Sequence, residues 1–133
     1  MRVRPPHHWR EREFRYRLTL YKCNRCGTAH HSVRLVCRKC RSTDLRREDA
    51  PSIGKLVDST LLKSCPEGFE SRSPYVVGLV EFEDGTRVLS QMTDCDPSEL
   101  YPNREVEKVV RRLIEDATDG IIVYNYKFRP RLF

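Results

Sequence analysis

The stretch Lys22–Arg41 reads KCNRCGTAHHSVRLVCRKCR, two Cys-x-x-Cys pairs separated by ten residues. Zinc favours a tetrahedron of soft thiolates, and a two-residue gap lets one tight turn supply two of them. Gly27, directly after the first pair, suits the left-handed turn that aims backbone N–H groups at the sulfurs. A redox dithiol needs only one such pair, while iron in a four-thiolate site fits the same spacing. Cys23, Cys26, Cys37 and Cys40 are therefore the expected ligands of one structural zinc. Four cysteines close the coordination shell, whereas a catalytic zinc keeps a position open for water. His30 and His31, between the pairs, are expected on the surface of a small hairpin and outside the metal shell.

A segment this short cannot bury a sufficient core, so metal binding would supply its folding energy. The whole chain has 133 residues, enough for one ordinary domain or two very small ones. Hydrophobic residues make up 38% and charged residues 33%, a soluble and polar composition that is not that of a disordered chain. No apolar run approaches the roughly 20 residues of a membrane span. The start, MRVRPPHHWR, lacks the apolar core of a signal peptide. The expected location is cytoplasmic, a reducing compartment in which such cysteine pairs bind metal rather than form disulfides.

The remaining residues offer no catalytic constellation. Cys65 precedes Pro66 in a loop, and Cys95 lies in the acidic run DCD, whose carboxylates raise a thiol pKa and so work against a nucleophile. All four histidines, His7, His8, His30 and His31, fall in the first quarter of the chain, and no Gly-rich phosphate loop is present. The chain is read as a non-enzyme.

Charge is polarised along the sequence. Residues 1–50 hold 14 Lys/Arg and 5 Asp/Glu, whereas residues 51–133 hold 11 and 14. A net charge of +9 on the first segment suits phosphate contact, on nucleic acid or a phosphorylated cofactor, or docking to an acidic partner.

Pro5-Pro6 suits the first turn of a helix that HHWREREFRY could continue. Phe14, Tyr16, Leu18 and Leu20 then alternate, which favours an extended approach to Cys23, with the switch near Arg17. Trp9, the only tryptophan, sits in a charged segment with little to bury it. RSTDLRREDAPS is polar and turn-rich and marks a junction. The expected organisation is a helical arm over 1–17, a zinc ribbon over 18–50 and a third unit over 51–133. In that unit GKLVDSTLLK, PYVVGLVEFE, TRVLSQM and GIIVYNYKF read as strands, with hairpin turns at Asp84-Gly85 and Asp119-Gly120. Ile122, Tyr124, Tyr126 and Phe128 share one face and are assigned to a barrel core rather than to a base-stacking platform. One segment resists: in REVEKVVRRLIED, Val106, Val109, Val110, Leu113 and Ile114 follow a helical period. A closed five-stranded barrel of the OB type needs that segment as its fourth strand.

The order of motifs resembles the domain of unknown function thirty-five family, a rubredoxin-like zinc ribbon followed by an OB fold. The resemblance runs through Trp9, Tyr16-Arg17, the four cysteines with Gly27, and Gly54-Lys55-Leu56-Val57. It continues through CPEGFESRSPY (65–75), DCDP (94–97) and the ending DGIIVYNYKFRP (119–130). It implies a strand over 106–114 against the helical period. Relatives carry aromatic–proline residues where this chain has His30-His31-Ser32, and a glycine turn where it has Tyr101-Pro102-Asn103.

In function, the resemblance implies a non-catalytic partner of acyl-CoA enzymes. Archaeal members are similar to the subunit that bridges acetoacetyl-CoA thiolase and 3-hydroxy-3-methylglutaryl-CoA synthase in the mevalonate pathway, where the two active sites share a coenzyme A space. Trp9, Phe14 and Tyr16, aromatic residues beside arginines, are the candidate partner contacts. The competing class is single-stranded nucleic-acid binding, which zinc ribbons and OB folds also serve. Against it, the barrel half is net −3, although a strand-tracking groove should be positive.

Overall fold

Two prolines open the first helix, α1 (Pro5–Arg10), at positions where no backbone N–H is required. The computed structural model describes residues 4–31, 33–67, 74–115 and 122–132. Glu11 interrupts the helix with φ −95° and ψ 5°, and α2 (Arg12–Arg17) continues it. Leu18 ends α2 in the left-handed region, φ 54°, with its N–H donating to the Phe14 carbonyl at 2.8 Å. The change from helix to strand expected near Arg17 thus falls on one residue, and β1 (Thr19–Cys23) begins directly after it.

β1 is the centre of a three-stranded antiparallel sheet, flanked by the two-residue β2 (Ala29–His30) and by β3 (Leu45–Asp49). The last strand corrects the sequence reading, which took this stretch as a turn-rich junction. Its register runs from Thr19 opposite Asp49 to Cys23 opposite Leu45. β3 lacks an apolar face because its side chains are held by ion pairs: Arg46 with Glu48 at 3.2 Å, Lys22 with Glu48 at 3.0 Å, and Arg47 with Glu13 of α2.

Five strands follow: β4 (Ile53–Leu62), β5 (Tyr75–Glu81), β6 (Arg87–Gln91), β7 (Glu105–Glu115) and β8 (Ile122–Pro130). They form an antiparallel sheet in the order β6-β5-β4-β7-β8. Register shifts at Leu56/Asp58 in β4 and Arg112/Ile114 in β7 bend the sheet round on itself. A single parallel bridge, Met92 to Phe128, joins the two edges, supported by the Thr93 N–H donating to the Phe128 carbonyl at 2.9 Å. The result is the nearly closed five-stranded OB-type barrel expected from the strand count. Leu56, Val80, Phe82, Val88, Val106 and Phe128 fill it. Gly54 sits where β4 pairs with β7, and a side chain there would come within 2.6 Å of Val80.

β7 is a strand throughout, as the resemblance implied and the periodicity denied. It pairs with β8 from Val106 opposite Pro130 to Glu115 opposite Ile122. In a strand Val106 and Val110 share one face and Val109 takes the other, so the apparent helical stripe is divided between the two faces of a ribbon. The aromatic stripe of β8 divides along its length instead. Tyr126 and Phe128 are core, but Ile122 and Tyr124 are 39% and 42% exposed, which corrects their assignment to the interior. The loop residues 68–73 and the turn expected at Asp119-Gly120 lie outside the described residues.

Ribbon and barrel share one apolar core, to which Leu18, Leu20 and Ala50 contribute, and they meet through main chain and charge as well. The Ala50 N–H donates to the Leu18 carbonyl at 2.9 Å and the Lys108 N–H to the Ser52 carbonyl at 2.7 Å. Lys22 of β1 reaches Asp84 in the β5–β6 turn at 2.8 Å.

Candidate metal centre and arm groove

Each cysteine pair closes the same turn. The Gly27 N–H donates to the Cys23 carbonyl at 2.9 Å, and the Arg41 N–H to the Cys37 carbonyl at 3.0 Å. Gly27 and Arg41 are both left-handed, with φ 77° and 61°. The Cys23 N–H then donates to the Thr28 carbonyl at 3.0 Å and the Cys37 N–H to the Ser42 carbonyl at 2.8 Å. Two equivalent knuckles therefore face each other, one leaving β1 and one ahead of β3.

The four sulfurs of Cys23, Cys26, Cys37 and Cys40 lie within 4.8 Å of one another. Cys23 to Cys40 and Cys26 to Cys37 are each 3.5 Å. A tetrahedron with zinc–sulfur bonds of about 2.3 Å has edges of about 3.8 Å, so the cluster has the size and donor set that zinc requires. Backbone N–H groups of Cys26 and Arg25 act on the Cys23 sulfur and lower its pKa. The Thr28 hydroxyl, 3.1 Å from the Cys26 sulfur, is the main cause holding that thiol at about 6. At Cys40 the Ser42 N–H works downward, but burial and the three neighbouring sulfurs outweigh it and push the thiol up to about 12. Four adjacent sulfurs cannot all carry charge without a cation among them, which is the electrostatic counterpart of the geometry.

The histidines between the knuckles behave differently from each other. His31 is exposed as expected, its ring 6.4 Å from that of Phe14. His30 is 5% exposed, a correction to the surface reading: β2 pairs it with Tyr21 of the central strand and turns it into the ribbon interior. Burial, then Arg34 and Arg38, lower its pKa, so it is held neutral. It is not part of the sulfur cluster. Cys95 packs against the barrel core, and its thiol is raised by burial first and by the Glu99, Asp94 and Asp96 carboxylates second.

The three aromatic residues of the arm separate into two roles. Phe14 is half-buried and meets the core residue Tyr126 edge-on at 5.8 Å, so it fixes α2 to the barrel. Trp9 and Tyr16 remain 67% and 47% exposed. The Arg12 guanidinium lies 4.2 Å above the Trp9 ring and donates to the Trp9 carbonyl at 2.8 Å. Between these side chains and the start of β8 is a cavity of about 300 Å³, lined also by His8, Arg15, Ile122 and Tyr124. Sequence reasoning found Trp9 and Tyr16 but missed Ile122 and Tyr124. The available signal was their place at the start of β8, where an inward-facing stripe runs past the edge of the barrel.

Residues 14–46 match the ChsH2 rubredoxin-like zinc ribbon domain, and residues 47–111 match the ChsH2 C-terminal OB-fold domain. A DUF35 domain-containing scaffold protein of Methanocaldococcus jannaschii is 38% identical over 123 residues, covering 92% of this chain and 87% of that protein. The chain belongs to the DUF35 family. Another DUF35 relationship is structural: a chain of the Ltp2-ChsH2(DUF35) aldolase superposes with a TM-score of 0.66 at 26% identity, covering 93% of this chain and 89% of that one. A probable enoyl-CoA hydratase alpha subunit of Thermomonospora curvata is 30% identical over 92 residues, 69% of this DUF35 chain and 28% of that protein. Among the described residues of this family member, no helix is long and apolar enough to cross a membrane.

Proposed function

We propose that this protein is a cytoplasmic, non-catalytic scaffold subunit of an acyl-CoA-processing complex. In this reading it bridges acetoacetyl-CoA thiolase and hydroxymethylglutaryl-CoA synthase and helps form a shared coenzyme A site. The observation that carries it is the arm groove. A tryptophan and two tyrosines stand exposed beside Arg12 and Arg15, an arrangement of rigid aromatic anchors and cations found at the centres of protein interfaces. The names borne by the scaffold, hydratase and aldolase relatives support the same class of partner. Cys23, Cys26, Cys37 and Cys40 hold one structural zinc that shapes the ribbon, and the arginines of the arm offer phosphate contacts for coenzyme A. The division among the aromatic residues makes the reading testable. Trp9→Ala and Tyr16→Ala should release both enzymes in gel filtration while leaving the melting temperature unchanged, whereas Phe14→Ala should lower the melting temperature first. Co-elution of both enzymes with the Trp9→Ala/Tyr16→Ala double variant would remove the groove from the interface. A parent protein that binds neither enzyme would refute the scaffold reading.

A further inference from the structure

The loop entering the second knuckle is apolar and exposed. Val33, Leu35 and Val36 are 67%, 83% and 45% accessible. The elements on either side of the loop are tied to the ribbon. Upstream, β2 is paired to β1, and downstream the Cys37 N–H is bonded to the Ser42 carbonyl at 2.8 Å. The charges carried by the loop and its two knuckles are of one sign, although Val33 at its base lines a cavity with Glu11 and Glu13 of the arm. Residues 25–43 contain five Lys/Arg and no Asp/Glu, and none of these five forms an ion pair with a described carboxylate. The tip presents exposed aliphatic side chains among cationic neighbours in the sequence.

We infer that this ribbon tip is a second docking element, which inserts Leu35 and Val36 into an apolar pocket with an acidic rim on a partner enzyme, Arg34 and Arg38 meeting that rim. The inference rests on the scaffold reading for the identity of the partner. A folded protein fits better than the other classes of anionic surface. Single-stranded nucleic acid is held by stacking on aromatic side chains, and residues 33–41 contain none. A membrane anchor needs a broader apolar face with interfacial aromatic residues, and three aliphatic side chains do not form one. The tip would add, for one of the two enzymes, a second contact beside that of the arm groove.

The test uses the full-length, zinc-loaded protein with the thiolase and the synthase encoded in the same genome, and measures binding to each by interferometry. Leu35→Asp should weaken binding to one of the two enzymes by about tenfold or more, as expected for a central anchor. Arg34→Glu/Arg38→Glu should slow association with that same enzyme and flatten its salt dependence. Zinc content and far-ultraviolet dichroism equal to the parent's show that the variants are folded. If the parent binds and both variants bind within about twofold of it, the tip proposal fails and the scaffold reading stands. If the parent binds neither enzyme, both fail. Leu35-dependent binding to phosphatidylglycerol vesicles or to a poly-uridine oligonucleotide, or Leu35-dependent self-association, would also overturn the assignment.

Discussion

The ammonium group of Lys108 donates to the backbone carbonyl of Arg17 at 2.6 Å and to that of Ala50 at 3.1 Å. One side chain on β7 thereby holds the end of the arm and the end of the ribbon sheet against the barrel. Both carbonyls sit at the ends of elements, Arg17 closing α2 and Ala50 following β3, where the regular hydrogen-bond pattern stops.

Replacing Lys108 with methionine keeps the aliphatic stem and removes both donors. Stability should fall by about 1.5–3 kcal/mol, the usual contribution of hydrogen bonds involving a charged group. Urea unfolding measures the loss, and limited proteolysis should find the arm cleaved earlier in the variant than in the parent.

The two knuckles differ at their left-handed residue, Gly27 in one and Arg41 in the other. A side chain in that conformation costs roughly 1–2 kcal/mol, and glycine does not incur it. Arg41→Gly should therefore raise ribbon stability by about 0.5–1 kcal/mol once the added freedom of the unfolded chain is counted. Gly27→Ala should lower it by a similar amount, even though nothing lies within 4 Å of the added carbon. Thermal melts of the zinc-loaded variants provide the check.

Removing the metal should act on one sheet only. Chelation, or Cys37→Ser, should unfold β1, β2 and β3, because the sulfurs would lose the cation that allows them to pack 3.5 Å apart. The barrel shares no strand with that sheet and should keep its amide exchange protection. Elemental analysis of the parent should give one zinc per chain.

Asp94 clamps the barrel seam, with Arg111 of β7 at 2.7 Å and Arg129 of β8 at 3.6 Å. The hydrogen bond from Arg111 is the largest influence on its carboxyl and holds it below the ordinary value of 3.8. A carboxyl lowered in the folded state contributes stability above its unfolded pKa and loses it as pH falls through the folded one. Because the carboxylate is 39% exposed and screened by solvent, Asp94→Asn should cost less than about 1 kcal/mol at pH 7. The difference between parent and variant should shrink below pH ~4 as the parent's carboxyl protonates. Urea midpoints of both proteins between pH 7 and pH 2.5 decide it.

The cysteine spacing made the ribbon and its metal site legible because coordination geometry is local: two residues between ligands dictate the turn. Strand count and the Asp84-Gly85 turn made most of the barrel legible too. β7 was ambiguous because three valines, a leucine and an isoleucine can satisfy a 3.6-residue period and still form a strand, and only pairing with β8 decides between them. β3 was hidden because its residues are charged, and a strand stabilised by ion pairs carries no apolar alternation. His30 could not be distinguished from His31 in the sequence, since which of two adjacent residues faces inward depends on the register of a two-residue strand. The arm shows the same limit. Phe14 and Trp9 read alike until Tyr126, 112 positions beyond Phe14, is placed beside one of them.

The bridge between Met92 and Phe128 also bears on the order in which the barrel assembles. Every other pairing in the sheet is antiparallel, and the hairpins β4–β5, β5–β6 and β7–β8 each join neighbours in the chain. The parallel seam joins strands that are not neighbours, so its loop-closure entropy is met only after both edges exist. Interactions that form that late stabilise the native state without lowering the barrier to reach it. Weakening the packing at the seam, as Met92→Ala would by removing a core side chain, should therefore leave the refolding arm of a chevron nearly unchanged and raise the unfolding rate, making this contact the determinant of how long a folded molecule persists rather than of how fast it forms.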